Sequence, residues 1–209
     1  MIQVKQIITG LIEENCYLIY NETSLLIVDP GNDAEKIISL VRETGATPEA
    51  ILITHAHYDH IGALEQVRNE FNLPVYISPI EKEWLVDPRL NFSGLMHHSD
   101  MGDIICAPAE YEFENYKTYT IGGMTFKVVP TPGHSPGSVS FVFDDFVITG
   151  DALFSGSIGR TDLPFGDGPT LIKSIQEELF TLPEEFAAYP GHREPTTIGK
   201  EKRTNPFFN

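Results

Sequence analysis

The chain is poor in cysteine, with Cys16 and Cys106 the two thiols in 209 residues. Two thiols make no disulfide framework, which excludes a small secreted scaffold held together by bridges. Basic charge is scarce too: 14 Lys and Arg face 30 Asp and Glu, for a formal net charge of −16. Nucleic acid and anionic lipid are themselves polyanions, so neither is an expected partner and nucleic-acid processing is disfavoured. No apolar run approaches the ~20 residues that cross a bilayer. The amino terminus, Met1 to Gln6, alternates like a strand and lacks the basic and apolar regions of a signal peptide, so the expected compartment is the cytoplasm. Repeats, low-complexity tracts and Ser/Gly linkers are missing as well, and residues 1–209 read as one domain.

What is present is ordinary globular composition, 41% hydrophobic and 21% charged, with alternating strand and helix patterns. Strands are expected over 2–8, 16–20 and 25–28, the last ending in Asp29-Pro30-Gly31. Asp33 reads as the N-cap of a helix over 34–43. A strand over 50–53 follows, then a helix over 61–70, a strand over 75–77 and a short helix over 80–86. Residues 87–109, with His97 and His98, have no steady period; they are either a wall or lid of a site or an irregular surface crossover. Strands resume over 117–120 and 124–129 around Gly122-Gly123, then over 138–143, 146–149 and 186–189. Residues 152–168 read as a loop, and helices are expected over 169–180 and 197–203.

The chemistry gathers at strand ends. Ile51-Leu52-Ile53 runs into Thr54-His55-Ala56-His57-Tyr58-Asp59-His60, which places four metal-binding side chains within six residues. Imidazole and carboxylate together suit zinc, iron or manganese. Three further strand ends deliver His134 in a Pro/Gly turn, Asp151 and His192. Any one of these taken alone is more simply a turn residue or cap; beside the first cluster, the metal assignment prevails.

These motifs, taken in order as His55-Ala56-His57-Tyr58-Asp59-His60, Pro132-Gly133-His134, Gly150-Asp151 and Pro190-Gly191-His192, resemble those of the metallo-β-lactamase superfamily over nearly the whole chain. The resemblance implies an α/β fold, a four-layer αββα sandwich with its metal site at one sheet edge. Gly150–Phe154, Gly156–Asp162 and Gly191–Gly199 are similar to the glyoxalase II-like (hydroxyacylglutathione hydrolase-like) branch, here in a short form. Carried over by motif, His55, His57 and His134 hold one ion, Asp59, His60 and His192 the second, and Asp151 bridges them. The cofactors implied are two divalent ions, zinc first, with iron or manganese as alternatives. The superfamily's β-lactamases usually place Cys at one second-metal position; Asp151 at that strand end argues against their activity.

The reaction implied is hydrolysis of a thioester such as S-D-lactoylglutathione. Two dications lower the pKa of a shared water, and the resulting hydroxide attacks the carbonyl. A thiolate leaves without help from an acid, and no Ser or Cys nucleophile is called for. Asp59 acts as a ligand that also orients the nucleophile. Arg160, Lys200 and Arg203 are candidate anchors for a substrate carboxylate, although Arg160 equally suits an ion pair with Asp162. The alternative is a persulfide dioxygenase on a single iron held by His55, His134 and Asp151, a branch that shares Gly159–Asp162.

Overall fold

The computed structural model describes residues 1–95 and 102–209; His97 and His98 lie outside the described residues. The chain divides into two compact units, Met1–Phe113 with Thr120–Met124, and Glu114–Tyr119 with Thr125–Asn209.

The first unit holds a six-stranded sheet in the order β1-β2-β3-β4-β5-β6. Its strands are β1 (Gln3–Thr9), β2 (Glu14–Tyr20), β3 (Ser24–Val28), β4 (Thr47–Leu52), β5 (Val75–Ile77) and β6 (Tyr111–Glu112). The first three pair antiparallel; β3 to β6 run parallel, with helices in the crossovers. Parallel strands covered by helices are apolar throughout, and every residue of β3 is buried. Helix α1 (Ala34–Thr44) turns Ile37 and Val41 inward and ends at Gly45 in the left-handed conformation. Asp33 does not cap it. Its φ is 52° and its carboxylate instead accepts the Gly10 N–H at 3.1 Å, a tertiary bond that outcompetes the local one.

The helix expected over 61–70 is two helices, α2 (Tyr58–Ile61) and α3 (Leu64–Phe71). The break has a cause: the Ala63 N–H bonds Pro30 O at 3.0 Å rather than a carbonyl one turn back. Helix α2 therefore starts inside the histidine cluster, with Asp59 and His60 in its single turn. The segment expected as a helix over 80–86 is a 3₁₀ turn, Lys82–Leu85.

The second sheet runs in the order β14-β13-β10-β9-β8-β7. Its strands are β7 (Thr118–Ile121), β8 (Met124–Pro130), β9 (Val139–Val142), β10 (Phe146–Gly150), β13 (Ala187–Pro190) and β14 (Thr196–Thr197). Strands β10 and β13 are parallel; the helical segment α4 (Gly168–Ser174), continued by a π-turn over Ile175–Leu179, lies between them in sequence. Part of the expected loop 152–168 is a small hairpin, β11 (Leu153–Phe154) and β12 (Ser157–Ile158). Helix α5 (Ile198–Thr204) follows β14 and is capped by the Thr197 side chain. Val147, Leu153, Leu171, Ile175, Leu179 and Ile198 form a buried core in this unit. Among the described residues, no helix is long and apolar enough to cross a membrane.

Candidate metal centre

In the first unit, two parallel strand ends build the site. Strand β3 delivers Asp29 and β4 delivers Thr54 and His55. Asp29 takes a left-handed backbone (φ 48°), which turns its carboxylate across to the neighbouring strand end. Its Oδ1 accepts the Thr54 N–H at 2.8 Å, and its Oδ2 accepts both Thr54 Oγ1 at 2.6 Å and His60 Nδ1 at 3.0 Å.

These bonds fix proton positions. The Thr54 hydroxyl has one proton and gives it to Asp29, so toward His55 Nδ1, 3.1 Å away, its oxygen accepts. His55 and His60 thus carry the proton on Nδ1 and present the Nε2 lone pair. A ligand imidazole whose other nitrogen donates to a protein oxygen is the arrangement that metal sites use. His55, His57 and His60 are buried, and their rings lie close: 4.7 Å between the His55 and His57 centroids and 4.1 Å between His55 and His60. Asp59 Oδ2 is 3.5 Å from His60 Nε2. Donor atoms of Asp29, His55 and His60 also lie within 4.8 Å of one another. Both Asp29 oxygens are engaged by Thr54 and His60, which makes it a holder rather than a ligand.

Glu14 is a further carboxyl here. It lies 3.9 Å from His60 Nδ1 and accepts the Thr9 hydroxyl at 2.5 Å. Burial pushes it well above the usual carboxylate range, against the pull of His60. Gly31 permits the packing, because a Cβ there would fall 1.9 Å from Asp59 O and 2.4 Å from a Glu14 oxygen.

The second unit brings together His134, Asp151 and His192. His134 follows β8 in a turn closed by Thr131 N–H to Ser138 O at 2.9 Å, and its Nδ1 donates to Arg160 O at 2.7 Å. Its Nε2 lies 3.5 Å from Asp151 Oδ2, and His192 Nε2 lies 3.7 Å from the same oxygen. Asp151 follows β10, His192 follows β13, and the Gly191 N–H bonds Gly150 O at 2.9 Å, tying the two strand ends together. His192 is the more open of the three, its side chain 21% exposed. The His134 turn spells Gly-x-Ser-x-Gly from Gly133 to Gly137, the pattern of a nucleophile elbow. It joins strand to strand, however, not strand to helix, and buried Ser135 is hydrogen-bonded to Ser138 Oγ at 2.6 Å. Neither cysteine offers a nucleophile: burial raises Cys16 well above its ordinary value and Cys106 to about 12.

The donors of each unit suit divalent metal of the zinc or iron type: three imidazoles and a carboxylate in the first, two imidazoles and a carboxylate in the second, with His55, His60 and His134 oriented by protein oxygens. Of the three candidate substrate anchors, Arg160 makes a two-pronged pair with Asp162 at 2.7 and 2.8 Å, holding that carboxyl down at about 2. Arg203 bonds Glu184 at 2.6 Å. Lys200 Nζ reaches Ser155 Oγ at 3.3 Å. Ser155 follows Phe154, whose ring meets His192 edge-on at 5.9 Å. Sequence patterns pass over Asp29, Glu14 and Thr54, and over Glu81, whose Oε2 accepts the Ala56 N–H at 2.7 Å. The signal for Asp29 was its place in a Pro-Gly turn at a strand end; Glu14 and Glu81 have none.

The chain belongs to the metallo-β-lactamase superfamily, whose family model matches residues 9–192. It has that fold, a mixed α/β architecture. It is 46% identical to a probable metallo-hydrolase of Streptococcus pyogenes, covering 100% of this chain and 91% of the relative. The hydroxyacylglutathione hydrolase GloC of Haemophilus influenzae is 34% identical, with 94% and 93% covered. Among solved structures, the BLEG-1 B3 metallo-β-lactamase superposes with a TM-score of 0.94 at 45% identity, covering 99% of this chain and 100% of that one. The di-iron-bound form of TTHA1623 gives 0.80 at 38% identity, covering 97% and 99%. ETHE1 of Myxococcus xanthus gives 0.78 at 29% identity, covering 98% and 83%.

Proposed function

We propose that the chain is a metal-dependent hydrolase of thioesters, S-D-lactoylglutathione being the type substrate, and that its two donor sets serve one binuclear centre. His55, His57 and His134 hold one divalent ion, Asp59, His60 and His192 the other, and Asp151 is shared. The observation that carries the proposal is the hydrogen bonding at His55, His60 and His134, where Nδ1 is in each case bound to a protein oxygen and Nε2 is presented. The family match spans both donor sets in a single stretch, which supports one domain and one centre. Likeness to GloC supports the substrate class.

Zinc is the expected metal, with iron next in view of TTHA1623 and manganese after it. Bound there, the ions supply an activated water and polarise the acyl carbonyl. The chain's own residues do the rest. Asp59, beside His60, orients the nucleophile. Lys200, beside Ser155 and hence near His192, meets a substrate carboxylate, while Arg160 and Arg203 already face Asp162 and Glu184. A thiolate departs unprotonated, so no buried acid is needed. Free, buried cysteines and a charge of −16 support a cytoplasmic enzyme acting on a small molecule, without nucleic acid or membrane as partner.

A second reading, β-lactam hydrolysis, is favoured by the 45% identity to BLEG-1. Opening an amide ring leaves a nitrogen that must be protonated, a demand a thioester does not make. Metal-quantified protein assayed on S-D-lactoylglutathione, nitrocefin and glutathione persulfide separates the cases. Thiol release with two metals per chain is expected. Nitrocefin turnover without thioesterase activity overturns the proposal, as does rapid oxygen uptake on persulfide with one iron per chain.

A further inference from the structure

Residues 81–92 contribute no donor to the proposed centre, yet they grip the turn that carries His55 and His57. Glu81 is fully buried, and its Oε2 accepts the N–H of Ala56, the residue between the two histidines, at 2.7 Å. The Trp84 ring lies along the His57 imidazole, centroids 5.7 Å apart and planes 25° from parallel. Phe92 closes on His57 at 5.0 Å and on Trp84 at 6.0 Å. Asn91 O accepts the Tyr58 N–H at 2.9 Å, while its side-chain amide bonds Trp84 O at 2.8 Å and Ile104 O at 3.0 Å, tying the segment to itself. Phe92 has φ 69°, a left-handed conformation that bulky side chains rarely adopt and that persists only where the surroundings enforce it.

A carboxylate removed from water is costly unless its hydrogen bonds are well placed. This one lands on a backbone N–H flanked by two ligands, and an aromatic pair fixes the ring plane of one of them. We infer that Glu81, Trp84 and Phe92 are positioning residues that set the His55–His57 turn in its metal-binding form before any ion arrives. The inference rests on the assignment of His57 as a ligand. It gives the 81–92 excursion a function: metal affinity through preorganisation rather than through an added donor.

The test uses the full chain, stripped of metal by chelation, and zinc affinity measured by competition with a chromophoric chelator. Glu81→Ala is expected to weaken zinc binding about 10–100-fold, the range seen for outer hydrogen-bond partners of ligands, with apo-protein thermal unfolding still cooperative. Glu81→Gln keeps an acceptor oxygen and is expected to restore most of that loss. Trp84 is the chain's single tryptophan, so its emission in the parent protein should change in step with zinc occupancy, and the midpoint should move with the chelator value in Glu81→Ala. Should Glu81→Ala lose cooperative unfolding, Trp84→Leu, which keeps apolar bulk without the stacking face, carries the same expected loss. Parent-like zinc affinity in the folded variants, or an emission blind to bound zinc, overturns the inference while leaving the metal centre standing. A parent protein that binds neither zinc, iron nor manganese removes both.

Discussion

The two donor sets are held by different means. Around His55, His57 and His60 the holders are side chains: Asp29, Thr54, Glu14, Glu81 and two aromatic rings, nearly all buried. Around His134, Asp151 and His192 they are mostly backbone: Arg160 O on His134 Nδ1 and Gly150 O on the Gly191 N–H. A side-chain scaffold can be dismantled one residue at a time. A backbone scaffold ignores most substitutions and fails at the positions where the chain must approach itself closely.

His57→Ala should have the largest effect. It removes a proposed ligand and leaves Trp84 and Phe92 facing a hole. Metal content and thioester hydrolysis should fall by more than the roughly 10–100-fold expected for an outer partner, with far-UV circular dichroism retained. A variant that keeps its metal, measured by mass spectrometry of the bound ion, would remove His57 from the centre.

Glycine positions come next. Each region has one glycine pressed against the carbonyl of an aspartate proposed as a ligand. A Cβ on Gly31 would sit 1.9 Å from Asp59 O, and one on Gly159 would sit 1.9 Å from Asp151 O. An alanine at either place forces a shift of backbone, where overpacking costs about 1–3 kcal/mol or more. Gly159→Ala should do the greater damage to metal stoichiometry, because Asp151 is the proposed shared ligand, and the bound metal should drop below one ion per chain. Two ions per chain in a folded Gly159→Ala protein would show that the second region tolerates displacement and that the contrast is misdrawn.

The same difference explains what could be read in the chain beforehand. All seven proposed ligands are legible because histidine and aspartate at four strand ends are unusual residue types in telling places. Strand β3 and the buried second half of β4, Ala50 to Leu52, are legible as apolar runs, whereas Thr47, Pro48 and Glu49 at the start of β4 are not. The holders are not. Arg160 acts through a carbonyl that any residue would supply, so no side chain marks it. Glu14 and Glu81 lie 46 and 21 positions away from His60 in sequence, and nothing local distinguishes them from surface acids. The break between α2 and α3 escaped for the same reason: Pro30 O, the acceptor that causes it, is more than thirty residues upstream. Asp33 looked like a helix cap because local patterns cannot see Gly10 competing for its carboxylate.

A matched pair of substitutions probes the contrast directly. Asp29→Asn should lower zinc affinity about 10–100-fold, since an amide offers one acceptor oxygen where Thr54 and His60 together use two. Arg160→Ala should leave zinc affinity close to that of the parent, because the carbonyl that holds His134 survives the loss of the side chain. Chelator competition on both proteins reads the outcome. Equal losses would mean that the Arg160–Asp162 ion pair, not the carbonyl alone, fixes the second region.

The smallest effect belongs to the substrate anchor. Lys200→Ala removes a cation bonded to Ser155, the residue after Phe154, without touching a proposed ligand or its holder. Exposed charge contacts are weak, and hydrogen bonds to charged groups are worth about 1.5–3 kcal/mol at best. A rise in KM of roughly 3–10-fold is therefore expected for a thioester bearing a carboxylate, with kcat and metal content held, the signature of lost uniform binding. A thioester without a carboxylate should show no change. The comparison with Arg203→Ala then decides between these two cations of the three on α5. Arg203 is already bonded to Glu184, so its loss should leave KM unmoved; if Arg203→Ala raises KM and Lys200→Ala does not, the anchor lies one turn further along the helix and away from the Phe154–His192 contact.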